Sequence, residues 1–438
     1  MPTRNETIFA LSSGDLPSGV AIVRISGDQV DSAMKRISGV VPSARSMTYS
    51  EFKDPISGDP LDRGLCVRFP GPNSFTGEDV GEFHLHGGIA VVEGFIRSLS
   101  AMNGFRLAEA GEFTRRAFEN GKLDLTEVEG IGDLIDAETE EQKKLALRQA
   151  GGSLRKLYEQ WRERIVRCRA LIEAELDFSD EDDVPGSVSD QVWVDVQQLC
   201  SEISNHLADD RVGEIIRDGF QVSLAGKPNA GKSSLLNVLA RRDIAIVTEQ
   251  AGTTRDVLEV PLDIDGMKVV LKDTAGLRET TDLVESEGIR RAKLAMNSSD
   301  LVLWLTEDEP TDKELGQVDV PIVIVQTKTD LTGEQHDWAA ISISAKTGVG
   351  VEQLIDSIRN RIEINSVSES GVISRKRHRD NLRLCFEQLN RSVEMETYPI
   401  ELRSEELRKA GDHIGRITGK VDVEDLLDVV FSSFCIGK

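Results

Sequence analysis

Phe220-Gln221-Val222-Ser223-Leu224-Ala225-Gly226-Lys227-Pro228-Asn229-Ala230-Gly231-Lys232-Ser233 decides the fold of the middle of this 438-residue chain. An apolar strand pattern over 220–225 runs directly into Gly226-x-x-x-x-Gly231-Lys232-Ser233, and a helical pattern over 234–240 follows. In that strand-loop-helix context the spacing reads as a phosphate-binding loop. Two glycines permit a turn tight enough for successive backbone N–H groups to face the α- and β-phosphates at the positive end of a helix. Ala230, Gly231, Lys232, Ser233 and Ser234 are thus the expected cradle. Lys232 should reach the β- and γ-phosphate oxygens, and the Ser233 hydroxyl should bind Mg²⁺.

The next strand pattern, 267–272, ends in Asp273-Thr274-Ala275-Gly276. Asp273 suits the carboxylate that orients Mg²⁺ through water, and the Gly276 N–H can sense the γ-phosphate. A preceding strand, 257–264, joins it through Asp265-Gly266, a two-residue hairpin signal, so an antiparallel edge strand is predicted on an otherwise parallel sheet. Between loop and hairpin lies Gly252-Thr253-Thr254-Arg255-Asp256, where Thr254 is placed to complete the Mg²⁺ shell.

Strand 322–326 leads into Thr327-Lys328-Thr329-Asp330. The Asp330 carboxylate can accept from guanine N1–H and the 2-amino group, which adenine lacks, and the Lys328 stem can cover the ring. Strand 340–343 then delivers Ser344-Ala345-Lys346, whose amides can meet guanine O6. GTP is the predicted nucleotide. Asn usually opens the first of these motifs, and Thr327 cannot reproduce its amide contacts. The connection over 305–320 is short and acidic and contains Pro310, which predicts a reduced crossover helix. Ras-like proteins place a Gln just after DxxG to position the attacking water. Leu277 stands there, and Glu279, Asp282, Glu285 and Glu287 beyond it could orient water or simply cover a helix start.

Outward from this region, the first 120 residues alternate short apolar runs with turn signals, the pattern of a strand-rich α+β domain. Helical periodicity fills 123–178, with a break expected at Gly151-Gly152, resumes near Val192, and returns over 374–430. Strands alternating with helices after Arg211 predict a doubly wound parallel sheet. The expected division is 1–120 as an N-terminal domain, 121–211 and 373–438 as two parts of one all-α helical domain, and 212–372 as an inserted α/β P-loop G domain of Ras-like type. Asp180, Glu181, Asp182 and Asp183 suit a solvated loop better than a cation site.

The length exceeds one ordinary core. No apolar run reaches a membrane span, and residues 1–10 lack signal-peptide features, which points to the cytoplasm. Five cysteines without CxxC spacing favour a reducing compartment and suggest neither disulfides nor zinc. A net charge of −24 argues against a non-specific nucleic-acid coat. A local basic run at Arg375-Lys376-Arg377-His378-Arg379 could still meet phosphates or be a solvated helix end. His84 and His86 share a strand face but lack an apparent third ligand, and read as structural.

Several further segments recur in order: Val23-Arg24-Ile25-Ser26-Gly27, Phe69-Pro70-Gly71-Pro72-Asn73-Ser74-Phe75-Thr76-Gly77-Glu78-Asp79, His86-Gly87-Gly88, Gly111-Glu112-Phe113-Thr114, Lys122-Leu123-Asp124-Leu125, and the terminal Phe434-Cys435-Ile436-Gly437-Lys438. With the nucleotide motifs, this set resembles the MnmE (TrmE) family of tRNA modification GTPases along nearly the whole chain. The resemblance implies an N-terminal domain that binds 5-formyltetrahydrofolate or a related tetrahydrofolate and forms a homodimer. Arg24, Glu82 and Lys122 match the family's folate contacts, and Lys438 belongs with the cofactor-binding set. It further implies a K⁺ ion near the phosphates, with Asn229, Thr248, Gln250 and Thr253 at the ligand positions. Glu285 matches the residue that helps orient water, and Arg278 a switch arginine. A flavin-binding partner, MnmG, would join in a heterotetramer that adds a carboxymethylaminomethyl-type group at C5 of the tRNA wobble uridine. Cys435 could supply a thiolate to the uridine ring, or be a buried, inert thiol. The alternative from a different class is a GTP-switched, RNA-binding assembly scaffold of ribosome-assembly type without base chemistry.

Overall fold

The computed structural model describes residues 6–177, 188–208, 211–246, 259–273, 294–315, 318–333, 336–362, 372–421 and 424–437. Two compact units divide the chain: Met1–Gly132 with Gly415–Lys438, and Asp133–Ile414.

In the first unit, strands β1 (Thr7–Leu11), β2 (Ser18–Ser26), β3 (Thr48–Lys53), β4 (Pro60–Phe69), β5 (Val80–Gly87) and β6 (Phe105–Leu107) form one sheet in the order β3-β4-β5-β2-β1-β6. Period-two patterning sets its faces. Ala21, Val23 and Ile25 of β2 and Phe83 and Leu85 of β5 are buried, while Arg24, Glu82 and His84 alternate with them on the other face. Helices α1 (Val30–Ser38) and α2 (Ile89–Ser100) cover the buried side. Their core centres on Phe52, Phe83 and Phe95, whose ring centroids lie 5.0–5.9 Å apart in tilted and edge-on pairs. Helix α3 (Glu112–Glu119) and α4 (Leu125–Ile135) follow.

The chain's last segment belongs to this unit, a placement that helical periodicity over 374–430 does not signal. Phe431 and Phe434 pack with Leu125 and Val128. Ala110 bridges Ile436, and Ser12 Oγ donates to the Gly437 carbonyl at 2.8 Å.

The second unit contains α5 (Glu140–Ala150), α6 (Ser153–Asp177), α7 (Val188–Ala208) and α8 (Val212–Asp218) before its sheet. Thr139 and Gln142 form a capping box that starts α5, and Gly151-Gly152 separates it from α6. The sheet comprises β7 (Phe220–Gly226), β8 (Glu259–Ile264), β9 (Met267–Asp273), β10 (Leu301–Thr306), β11 (Ile322–Gln326) and β12 (Ile341–Ser342), in the order β12-β11-β10-β7-β9-β8. Every pairing is parallel except β8 with β9. That hairpin turns at Asp265 and Gly266, with φ of 53° and 85°, the left-handed pair a two-residue turn demands. Between β10 and β11 the described helix is only α10 (Asp312–Leu315), the reduced crossover that the acidic connection predicts. Helices α9 (Lys232–Leu239), α11 (Thr329–Thr332) and α12 (Val351–Arg359) complete the nucleotide portion, and α13 (Lys376–Glu394) and α14 (Ile400–Thr418) follow.

The chain enters and leaves the nucleotide portion side by side. A Cβ on Gly213 would lie 2.4 Å from the Ile373 carbonyl oxygen, and Gln149 Nε2 donates to Ser374 Oγ at 2.9 Å. Asp133 Oδ1 accepts from Arg217 at 2.9 Å and Arg375 at 2.6 Å, while Arg379 pairs with Glu214 at 3.1 Å. Arg375 and Arg379 of the basic run are therefore engaged with carboxylates.

Candidate nucleotide site

The parallel strands deliver the motif loops to one edge of the sheet, outside their carboxyl ends. β7 lies between β10 and β9, so Leu224 is in register with Asp273, and Trp304 with Ala225. The phosphate loop leaves β7 at Gly226, where φ is +136° and a Cβ would lie 2.1 Å from the Leu305 carbonyl oxygen. Only a residue without a side chain permits that approach. Asn229 is exposed at φ 64°, Ala230 is buried, and Gly231 caps α9.

Lys232 is 6% exposed, and its ammonium donates to the carbonyls of Gly226 at 2.9 Å and Lys227 at 2.8 Å. These bonds fold the side chain back along the loop it must serve. Ser233 Oγ donates to Asp273 Oδ2 at 3.2 Å, and Asp273 is 2% exposed. A hydroxyl and a carboxylate are hard oxygen donors, the kind Mg²⁺ takes. Ser233 lies in the first turn of α9, which follows β7, and Asp273 ends β9, 40 residues on in sequence; they meet because β7 and β9 are neighbours.

The base loops follow β11 and β12. Ser344 Oγ donates to Asp330 Oδ1 at 2.7 Å. The Ser344 amide is engaged by the Val349 carbonyl at 3.0 Å, leaving Ala345 and Lys346 to line the cleft. Lys328 sits at φ 56° and pairs with Glu307 at 2.6 Å. Thr327 is buried, and its hydroxyl donates to the Thr306 carbonyl at 3.3 Å. The residue standing where Asn is usual is thus turned toward its own sheet. A cleft of about 510 Å³ joins these groups to the phosphate loop, lined by Gly231, Ser234, Thr327, Lys328, Asp330, Ala345 and Lys346 among others. Asn237, Val238 and Arg241 also line it. Asn237 and Val238 follow Ser234 at helical spacing, and Arg241 lies two residues past the end of α9; no motif marks these positions.

The expected switch and cation residues Thr248, Gln250, Thr253, Thr254, Gly276, Arg278 and Glu285 lie outside the described residues, as do Lys438 and Asp180 to Asp183. What is described is the approach to the first switch: Ile246 N–H donates to the Pro261 carbonyl at 3.0 Å, so the chain runs along β8 just before it.

In the first unit, Arg24 and Glu82 are cross-strand partners, with Arg24 Nε and Nη2 at 3.0 and 2.9 Å from Glu82 Oε1. The Arg24 guanidinium lies 5.8 Å from the ring centroids of Phe75 and Phe113. Lys122 donates to the Pro72 carbonyl at 2.9 Å, on the same 70–79 loop that carries Phe75. His84 Nε2 lies 3.6 Å from Glu82, and His86 Nδ1 2.8 Å from Asp62, so each faces a carboxylate. No cluster of three or more metal-ligating side chains occurs among the described residues. Cys435 is exposed, whereas Cys66, Cys168, Cys200 and Cys385 are buried.

The MnmE helical domain family matches residues 125–435, and the family described as GTP-binding protein TrmE N-terminus matches residues 7–122. The chain is similar to the tRNA modification GTPase MnmE of Brucella anthropi, at 53% identity over 99% of this chain and 98% of that protein. The protein of the same name from Rhizobium etli is 52% identical over the full length of both. Among solved structures, the G domain of the T. maritima FeoB iron transporter is 22% identical, covering 33% of this chain and 99% of that one at a TM-score of 0.27.

Proposed function

Because the chain belongs to the MnmE (TrmE) family of tRNA modification GTPases, we propose that its GTP hydrolysis drives addition of a carboxymethylaminomethyl-type group to C5 of the tRNA wobble uridine. The chain is a GTP hydrolase acting in tRNA modification, using GTP and Mg²⁺. One observation carries the assignment of roles: a single cleft runs from Gly231 and Ser234, which flank Lys232 and the Asp273-paired Ser233, to Asp330, which Ser344 holds in the base loops.

In this reading the amides from Asn229 to Ser234 cradle the phosphates, and Lys232 neutralises the β- and γ-phosphate oxygens. Ser233, Asp273 and Thr254 would hold Mg²⁺, which supplies charge neutralisation at the phosphates. Gly276 senses the γ-phosphate, Glu285 orients the attacking water, and Arg278 assists in the second switch. Asp330 selects guanine, with Lys328 over the ring, Thr327 packed beneath the loop, and the Ala345 and Lys346 amides at O6. Asn229, Thr248, Gln250 and Thr253 hold K⁺ in place of an arginine finger.

The N-terminal part, near 1–120, would form a homodimer and bind a 5-formyltetrahydrofolate-type cofactor through Arg24, Glu82, Lys122 and Lys438. The contact between Arg24 and Glu82 supports their acting at one place. A carboxylate there can accept from a pterin amino edge, and a guanidinium can hold an anionic glutamyl group. The G domain, 212–372, would be inserted between helical stretches near 121–211 and after 373. A flavin-binding partner of the MnmG kind would supply redox chemistry, and the exposed Cys435 would add as a thiolate to the uridine ring and leave after C5 is substituted. The reaction would take place in the cytoplasm; no described helix is long and apolar enough to cross a membrane.

Nucleoside analysis of tRNA from cells lacking the protein tests the function, with loss of the C5-substituted wobble uridine expected. An unchanged nucleoside profile would instead favour the assembly-scaffold reading. GTP turnover should be much faster in KCl than in NaCl at equal ionic strength, and equal rates would remove the K⁺ mechanism.

A further inference from the structure

We propose that Arg241 is a second holding group for the nucleotide, its guanidinium stacking on the guanine ring from the helix side of the cleft while the Lys328 stem covers the ring from the base loop. The inference rests on the reading of this cleft as the guanine-nucleotide site. Three observations support it.

The first is placement. Ser234 and Val238, at i and i+4 of α9, line the cleft, as do Asn237 and Arg241, the last standing two residues past the end of the helix at Leu239. That spacing puts Ser234 and Val238 on one helical face. At a rise of about 1.5 Å per residue, the end of α9 at Leu239 stands about 7.5 Å beyond Ser234 along the helix, and Arg241 follows it. Ser234 sits at the phosphate loop, whereas Arg241 shares the cleft lining with Lys328, Asp330 and Lys346 of the base loops.

The second is availability. Arg241 is exposed and makes no hydrogen bond or ion pair to any described residue. Its neighbour Arg242 is held by Glu352 at 2.7 Å, turned to a different task. Lys328, by contrast, has its ammonium fixed by Glu307, which leaves only its stem for the ring.

The third is need. Thr327 lines the cleft, but its hydroxyl is donated to the Thr306 carbonyl and it has no amide to hold the base. A loop that has lost one base-holding amide gains most from a group that acts on the ring face, which every purine presents. A guanidinium is planar and weakly hydrated, and stacks on aromatic faces better than an ammonium. Val238 and Leu331, also in the lining, give the stacked pair an apolar flank.

The test is calorimetric titration of the full chain, in Mg²⁺ at fixed ionic strength, with GDP and with guanosine. Arg241→Ala should weaken both ligands by the same factor, roughly tenfold, and Arg241→Lys should fall between Ala and the unaltered chain. Arg242→Ala, which changes the same charge one residue away, should leave both affinities in place. Unchanged GDP affinity in Arg241→Ala would overturn the proposal. So would a loss confined to GDP, since that would assign the guanidinium to phosphate. If the unaltered chain bound neither ligand, the nucleotide-site reading itself would fall, a result distinct from either of these.

Discussion

Ser344 Oγ donates to Asp330 Oδ1 at 2.7 Å while accepting the Thr347 N–H at 3.2 Å. The hydroxyl proton is thereby aimed at one carboxylate oxygen, and the acid is held in place by a loop that follows a different strand. Replacing Asp330 with Asn should reverse the preference toward xanthine nucleotides, because an amide can donate to a C2 carbonyl but meets the guanine 2-amino group donor to donor. GTP affinity should fall by about two orders of magnitude, the worth of two charge-assisted hydrogen bonds. Competition between GTP and XTP would measure it, and an unchanged preference would place the base site elsewhere.

Asp133 is expected to matter for stability rather than nucleotide chemistry. Its carboxylate takes Arg217 just before β7 and Arg375 just after the nucleotide portion. Asp133→Ala leaves two partly buried guanidiniums without that acceptor, and should cost about 1–3 kcal/mol in urea unfolding. Loss of less than a few tenths of a kcal/mol would mean that solvent replaces the carboxylate without penalty.

Acid sensitivity should be traceable in part to Glu112. Burial would raise its carboxyl, but the hydrogen bonds from Arg106 and the Glu109 N–H, with the charges of Arg106 and Arg116, leave it below its ordinary value of 4.5. A lowered folded value means that the ionised form stabilises the fold. That contribution is complete above pH 4.5 and is lost as pH falls through the folded value. The gap in thermal midpoint between the unaltered chain and Glu112→Gln should therefore be widest at neutral pH and close as pH drops below 4.5. A gap independent of pH would show that the charge is not its source.

Thiol reactivity should single out Cys435. Burial, with the Asp195 charge adding to it, pushes Cys168 up to about 12, and burial pushes Cys200 up to about 11. Cys66 and Cys385 are raised by burial as well. Alkylation of the native chain near pH 7.5, read by intact mass, should add one label, and Cys435→Ser should remove it. Labelling of two or more sites without unfolding would contradict the burial of the other four.

The hairpin at Asp265-Gly266, the reduced crossover and the break at Gly151-Gly152 were legible because each is written in a few adjacent residues that permit little else. The engagement of Arg375 with Asp133 and of Arg379 with Glu214 was not, because nothing local tells a solvated basic run from one neutralised by carboxylates distant in sequence. Arg241 shows the same limit: it directly follows the helical pattern over 234–240, but its place in the lining of a cleft depends on where β11 and β12 bring their loops.

By itself, then, the sequence determined the elements and the chemistry each motif can perform, since Gly226, Lys232 and Asp330 act through short-range backbone and side-chain geometry. Tertiary structure alone decided which motifs meet. Ser233 reaches Asp273 and Ser344 reaches Asp330 because parallel strands lie side by side with their carboxyl ends at one edge. It also decided that the segment from Gly415 folds with the N-terminal unit, where burial of Phe431 and Phe434 against Leu125 removes apolar surface from water that no periodicity could have assigned to one core over another.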